Sequence, residues 1–306
     1  MIIRKYFKKR NIFLRIMAQG IKILYEGGSG ELEEKKSRFI ANTLPISTQE
    51  EAIEFIEKIK KQYWDADTNR TAAYLADREA DIICLQEAYC ADKVMQKIRT
   101  TLNRNRKMYF DSVRLSENRL VCFSVFPIVG KEKICGSGMN GAAVFKLLQA
   151  PGDTLLVVNC HLQTMGLSGK ERSNYKDMVQ RNPDIDVDAT SRRLVSKIAK
   201  AGKLRSRQAE AVADYVKRNA GRPVVVCGDF NDTPISYTCY TIGRDLQDAY
   251  RASGTGLGRT FNRDAMFVRI DHIFCSDHWE VFEARVDDSV YLSDHHPVHC
   301  KLLRKE

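Results

Sequence analysis

Short apolar runs alternate with longer amphipathic stretches from about residue 67 to the C-terminus. The runs at 81–85, 119–125, 141–148, 154–159, 223–227, 269–275, 281–286 and 297–303 have the length and content of buried strands, and 107–115 reads as another. Helices are expected at 71–78, at 88–103, where Val94, Ile98 and Leu102 share a face, and over 170–219 with an interruption near Asn182 and Pro183. Pro127, Gly130, Gly136, Gly138, Pro151 and Gly152 fall between strands, where the turns of antiparallel hairpins need them.

Residues 20–66 follow a different pattern. One strand is expected over 37–45, then a helix opened by Ser47 with Glu50 three residues on, a capping box. Ile53, Ile56 and Ile59 form its apolar stripe, and Lys58, Lys60 and Lys61 suit the negative end of its dipole. Such a unit is too short to build a core alone. The chain is therefore expected to be α/β, with an N-terminal strand-helix appendage over 1–66 and a main domain over 67–306.

Five polar motifs sit where apolar runs end. They are Gln86 and Glu87; Asn159 and His161; Gly228, Asp229, Asn231 and Asp232; Arg269 and Asp271; and Ser293, Asp294, His295, His296 and Pro297. Strand ends of one sheet can meet in one cleft, and so many carboxylates and imidazoles together call for a cation. A divalent-metal hydrolytic site follows, with Glu87 as a hard oxygen ligand and His295, oriented by Asp271, as general base. Asp229 and Asn231 lie two apart and share a face on an extended backbone. His295, His296, His299 and Cys300 could suggest zinc, but neighbours this close on one strand point to alternate faces.

These motifs, in this order, resemble the endonuclease/exonuclease/phosphatase superfamily over about residues 67–301. The resemblance implies a two-sheet α/β sandwich, DNase I-like, that hydrolyses phosphate esters with Mg²⁺ or Mn²⁺. It assigns Glu87 and Asp294 to the metal, the Asp271–His295 pair to water activation, and Asp229 to positioning the water or assisting the leaving group. Asn231 would donate to the phosphate and His161 would stabilise the transition state, while Tyr109 and Arg114 match phosphate contacts only loosely. His272 and His296 match no required position and are expected to be structural. The superfamily's first strand, ending in a metal-site Asn, has no counterpart here. Asn42 is the one candidate surrogate, and reduced activity is expected. Residues 20–66, with Glu26, Gly27, Gly28, Phe39, Ile40 and Trp64, resemble the opening fragment of the IMPACT/YigZ family.

Charge adds a substrate class. The formal net charge is +10, and residues 170–222 hold 14 Lys/Arg against 7 Asp/Glu, a net +7 between the His161 and Asp229 motifs. Such a segment attracts polyanions such as nucleic acid or phospholipid headgroups, although a solvated helical face has the same composition. The nine cysteines include no CxxC pair and mostly fall in apolar runs, which suits a reducing, cytoplasmic setting. Arg4, Lys5, Lys8, Lys9 and Arg10 beside Ile12, Phe13 and Leu14 suit peripheral membrane contact, and no run reaches the ~18 apolar residues of a membrane span. The competing expectation is a non-catalytic anion- or partner-binding protein that keeps the phosphoesterase fold.

Overall fold

The structure, a computed structural model, describes residues 14–16, 22–24, 26–34, 37–88, 92–104, 106–167, 171, 187–263 and 266–305. The basic residues from Arg4 to Arg10 and the interruption expected near Asn182 and Pro183 lie outside them. The chain divides into two compact units, Met1–Asn69 and Arg70–Glu306.

In the first unit, β1 (Leu14–Ile16) pairs with β2 (Lys22–Leu24), and β3 (Gly28–Glu34) pairs with β4 (Ser37–Thr43), both antiparallel. The helix α1 (Gln49–Asp77) begins one residue later in register than the expected cap: Thr48 Oγ1 accepts from Glu51 N–H, and Glu51 accepts from Ser47 N–H. It also runs on through the gap expected between two helices, because no Gly or Pro stands between Pro45 and Pro127 to stop it. Asn42 lies half-buried on β4, opposite Ser29.

The second unit is a two-sheet sandwich. Its three-stranded sheet joins β5 (Ile82–Leu85), β7 (Asn118–Ser124) and β6 (Tyr109–Leu115) in that order. The six-stranded sheet runs β12 (Gln247–Asp248), β15 (Asp271–Cys275), β11 (Val224–Asp229), β10 (Asp153–His161), β9 (Asn140–Ala150) and β8 (Ile128–Ser137). A hairpin of β16 (Trp279–Val286) and β17 (Val298–Arg304) completes the inner layer, and β13 (Phe261–Arg263) pairs with β14 (Met266–Val268) apart from both sheets. The strand β8 lies where only turns were expected. It is an edge strand whose pairing with β9 slips beside Gly130 and again before Cys135, and these irregularities break its alternation.

Period-2 alternation decides which side chains meet. Leu120, Cys122, Ala143, Phe145, Leu155, Val157, Val225, Trp279 and Val281 fill the space between the sheets. The other face of the six-stranded sheet, with Leu156, Val158, Val224, Val226 and Phe274, is covered by Ala209, Val212 and Val216 of α3 (Val187–Arg218) and by α4 (Tyr237–Ile242). The outer face of the smaller sheet, with Ile83, Val121 and Phe123, is covered by the end of α1 and by Met95, Ile98 and Leu102 of α2 (Asp92–Leu102). Each such buried aliphatic side chain contributes roughly 1.5–3 kcal/mol. Among the described residues no helix is long and apolar enough to cross a membrane.

Candidate active site

Three of the expected site residues form a row across neighbouring strands. His161 at the end of β10 is registered with Asp229 at the end of β11, and Asp229 with Asp271 at the start of β15. Alternation explains the row: Leu155, Val157, Asn159 and His161 share the inter-sheet face of β10, as Val225, Cys227 and Asp229 do on β11 and Asp271, Ile273 and Cys275 on β15. At the rim the apolar series gives way to charge. Gly228 makes the row close: its φ is +127°, and a Cβ there would lie 2.1 Å from the Cys160 carbonyl oxygen.

His295 enters from the loop before β17. Its Nδ1 lies 2.8 Å from Asp271 Oδ2, and ligand atoms of Asp229, Asp271 and His295 all fall within 4.8 Å of one another. Burial alone would lower the His295 imidazole, but the Asp271 hydrogen bond and the charges of Asp271, Asp229 and Asp294 outweigh it and raise it to about 9. Burial, then the Asp271 charge, pushes the Asp229 carboxyl up to about 7. Asn231 steadies that carboxylate, donating its backbone N–H at 2.7 Å and its Nδ2 at 2.8 Å to the two oxygens. Its backbone takes φ 51°, the left-handed region that Asn tolerates.

Glu87 comes from the other sheet, two residues beyond β5. Its Oε1 lies 3.1 Å from His161 Nε2, and this hydrogen bond lowers its carboxyl below the usual range while the nearby Asp294 charge opposes the shift. It too has a left-handed backbone, at φ 50°, an uncommon strain for Glu that functional sites retain. Its side chain is 59% exposed, against 9% for Asp229.

Several positioning residues were not anticipated. Asn118 and Asn140 present their amide nitrogens to the His161 ring at 3.3–3.4 Å. Arg119 N–H holds the Asn118 Oδ1, and the Leu162 carbonyl accepts from Asn140, so both amides point their N–H groups at His161. The Asn118 amide faces Nδ1 alone, the Asn140 amide lies near both ring nitrogens, and Nε2 faces Glu87. Buried Asn159 ties the sheets together: its Nδ2 donates to the Leu85 and Val121 carbonyls, and its Oδ1 accepts from Gln86. On α3, Arg205 binds Asp232 and the Gln163 carbonyl while Gln208 accepts from Gln163 N–H, clamping the loops after His161 and Asp229. The only sequence signal for Asn118, Asn140 and Asn159 was a polar side chain at the start or end of an apolar strand, and Arg205 and Gln208 carried none.

His272 and His296 have structural surroundings. His272 donates through Nε2 to the Asp232 carbonyl and burial lowers its pKa, while His296 binds the Val290 carbonyl. Arg114 bonds the Ser116 carbonyl, and Lys107 lies over the Tyr109 ring. Among the described residues, the ligand atoms that converge as a metal ion would need are those of Asp229, Asp271 and His295, two carboxylates and an imidazole that suit a divalent cation, while Glu87 and Asp294, the expected ligands, lie outside that group.

The sequence profile described as the Endonuclease/Exonuclease/phosphatase family matches residues 56–295. Among solved structures, a protein of that family from Bacteroides thetaiotaomicron aligns with TM-score 0.56 at 18% identity, covering 79% of this chain and 90% of its own. A mannosyl-6-phosphatase of the same organism aligns with TM-score 0.52 at 18% identity over 78% of this chain and 91% of its own. Truncated TDP2 from Caenorhabditis elegans gives 0.52 at 14% identity, over 78% of this chain and 90% of its own. A separate segment of 54 residues is 44% identical to an IMPACT family member, YvyE, of Bacillus subtilis. That segment is 18% of this chain and spans only a quarter, 25%, of the relative.

Proposed function

Because the chain belongs to the endonuclease/exonuclease/phosphatase family, we propose that it is a divalent-cation-dependent phosphoester hydrolase whose water is activated at the Asp229, Asp271 and His295 cluster. The observation that carries this reading is the registered row of His161, Asp229 and Asp271, with His295 seated 2.8 Å from Asp271 and Glu87 reaching the row from the opposite sheet.

Glu87 and Asp294 are the residues proposed to hold Mg²⁺ or Mn²⁺. When bound, the cation would draw charge from a phosphoryl oxygen and oppose the carboxylate charges around it. Asp271 accepts from His295 Nδ1, which fixes the ring and leaves Nε2 to take a proton from water. The carboxylate charges of Asp271, Asp229 and Asp294 that raise His295 to about 9 are ones a bound cation would oppose, which would free the imidazole to act as base. His161 Nε2 now faces Glu87 at 3.1 Å, and its N–H would turn to the developing phosphoryl charge once a cation holds Glu87. Asn231 now spends its amide on Asp229 and the Leu162 carbonyl, so its contact to phosphate requires exchange of one of these bonds.

The missing first-strand amide argues for turnover below that of a relative with a complete site. For substrate, exposed Lys200, Lys203, Arg207, Lys217 and Arg218 of α3 suit a polyanion such as nucleic acid or a phospholipid headgroup. The test is hydrolysis of a phosphodiester and a phosphomonoester with Mg²⁺, Mn²⁺ or chelator. Cation-dependent turnover that falls in His295→Ala is expected; none in any condition would leave the non-catalytic, anion-binding alternative.

A further inference from the structure

We infer that Thr260 is a positioning residue for the Asp271–His295 pair, holding both partners through its hydroxyl and its backbone. The inference rests on the hydrolase reading above for its kinetic consequence, but its geometry stands independently. Thr260 is fully buried, and its Oγ1 accepts from the N–H groups of Ile270 at 3.0 Å and Asp271 at 3.1 Å. Those donors stand where β15 begins, at the end of the row, and without the hydroxyl both would be buried beside a position that offers no acceptor. Thr260 N–H donates to the Val268 carbonyl, fixing the open end of the β13–β14 hairpin against the same strand entry.

The other half of the clamp reaches His295. The Thr260 carbonyl accepts from His296 N–H at 2.7 Å, and the next residue, Phe261, forms an isolated antiparallel bridge with His295. The Phe261 ring meets the His295 ring edge-on, with centroids 5.0 Å apart. One residue thus sets the height of the Asp271 backbone and the depth of the His295 loop, and the 2.8 Å Nδ1–Oδ2 contact depends on both. Thr supplies what the position needs: an acceptor close to its own backbone, on a stiff β-branched side chain with few rotamers. Serine keeps the acceptor and loses the stiffness. Valine keeps the shape and loses the acceptor.

The test compares Thr260→Val and Thr260→Ser with the intact chain, by kcat and KM and by the downfield proton resonance of the His295 Nδ1–H, assigned through His295→Gln. Thr260→Val is expected to lose ~10-fold or more in kcat with KM within ~2-fold, and to lose or shift the resonance, whereas Thr260→Ser keeps the resonance and most of kcat. If Thr260→Val does not fold, Thr260→Ala, which relieves any crowding, is held to the same expectation. A Val or Ala variant with an unaltered resonance overturns the inference, as does the absence of the resonance from the intact chain. Equal impairment of Ser and Val, with equal loss of melting temperature, would make Thr260 merely structural. Should the intact chain show no turnover, the hydrolase reading fails and the resonance alone decides the role of Thr260.

Discussion

The two sheets contribute to the site in unequal ways. The six-stranded sheet supplies His161, Asp229 and Asp271 from strands paired in continuous register, so each position is fixed by backbone hydrogen bonds on neighbouring strands. The three-stranded sheet supplies Glu87 from a strained residue beyond β5, a four-residue edge strand whose only partner among the described strands is β7. A residue in registered sheet is placed by many weak constraints at once. Glu87 depends on a few, chiefly Asn159 and Gln86 behind it and His161 in front.

Substitutions can break this comparison, the largest effects first. His295→Ala should lower turnover by ~10²- to 10⁴-fold, the usual contribution of a positioned base, and steady-state kinetics would expose a smaller role. Gly228→Ala attacks the registered side. Its Cβ cannot coexist with the Cys160 carbonyl, so a loss of about 3 kcal/mol in denaturant unfolding and near-complete loss of activity are expected. Asn159→Leu attacks the link between the sheets; two carbonyls lose their donor, and a cost of about 1–3 kcal/mol is expected, with turnover falling because Glu87 loses its backing.

A smaller effect concerns pH without added cation. His295 is raised to about 9, so the stability its protonated form contributes is fully present below its unfolded value near 6.5 and is lost as pH rises through 9. Asp229, raised to about 7, is favoured as the neutral acid, and its ionisation costs stability between its ordinary value of 3.8 and 7. Melting temperature in chelator should therefore fall from acid towards pH 9. His295→Gln should flatten the part above 6.5, and an unchanged slope there would remove the His295 assignment.

Much of the site was legible in the sequence because strand periodicity is local. Once 154–159 and 223–227 read as buried strands, polar residues at their ends had to leave the core at the rim, and His161 and Asp229 do so in register. Long-range partners carried no such signal. Asn118 and Asn140 are single amides after tight turns, and Thr260 is one hydroxyl in a loop; their roles exist only because distant strands meet. The β8 edge was missed because its bulges and glycines resemble turns, and the helix cap slipped by one residue because Ser47 and Thr48 both offer a hydroxyl and Glu50 and Glu51 both a carboxylate.

Cation binding to the chain tests most directly whether the two sheets form one site. Titration of Mn²⁺ followed by its paramagnetic resonance should show saturable binding in the intact chain. In Glu87→Gln binding should be weakened ~10-fold or more with the fold unchanged, since one hard oxygen ligand is lost. Equal Mn²⁺ affinity in the two proteins would contradict the account, leaving Glu87 a strained loop residue beside a site built from the six-stranded sheet alone.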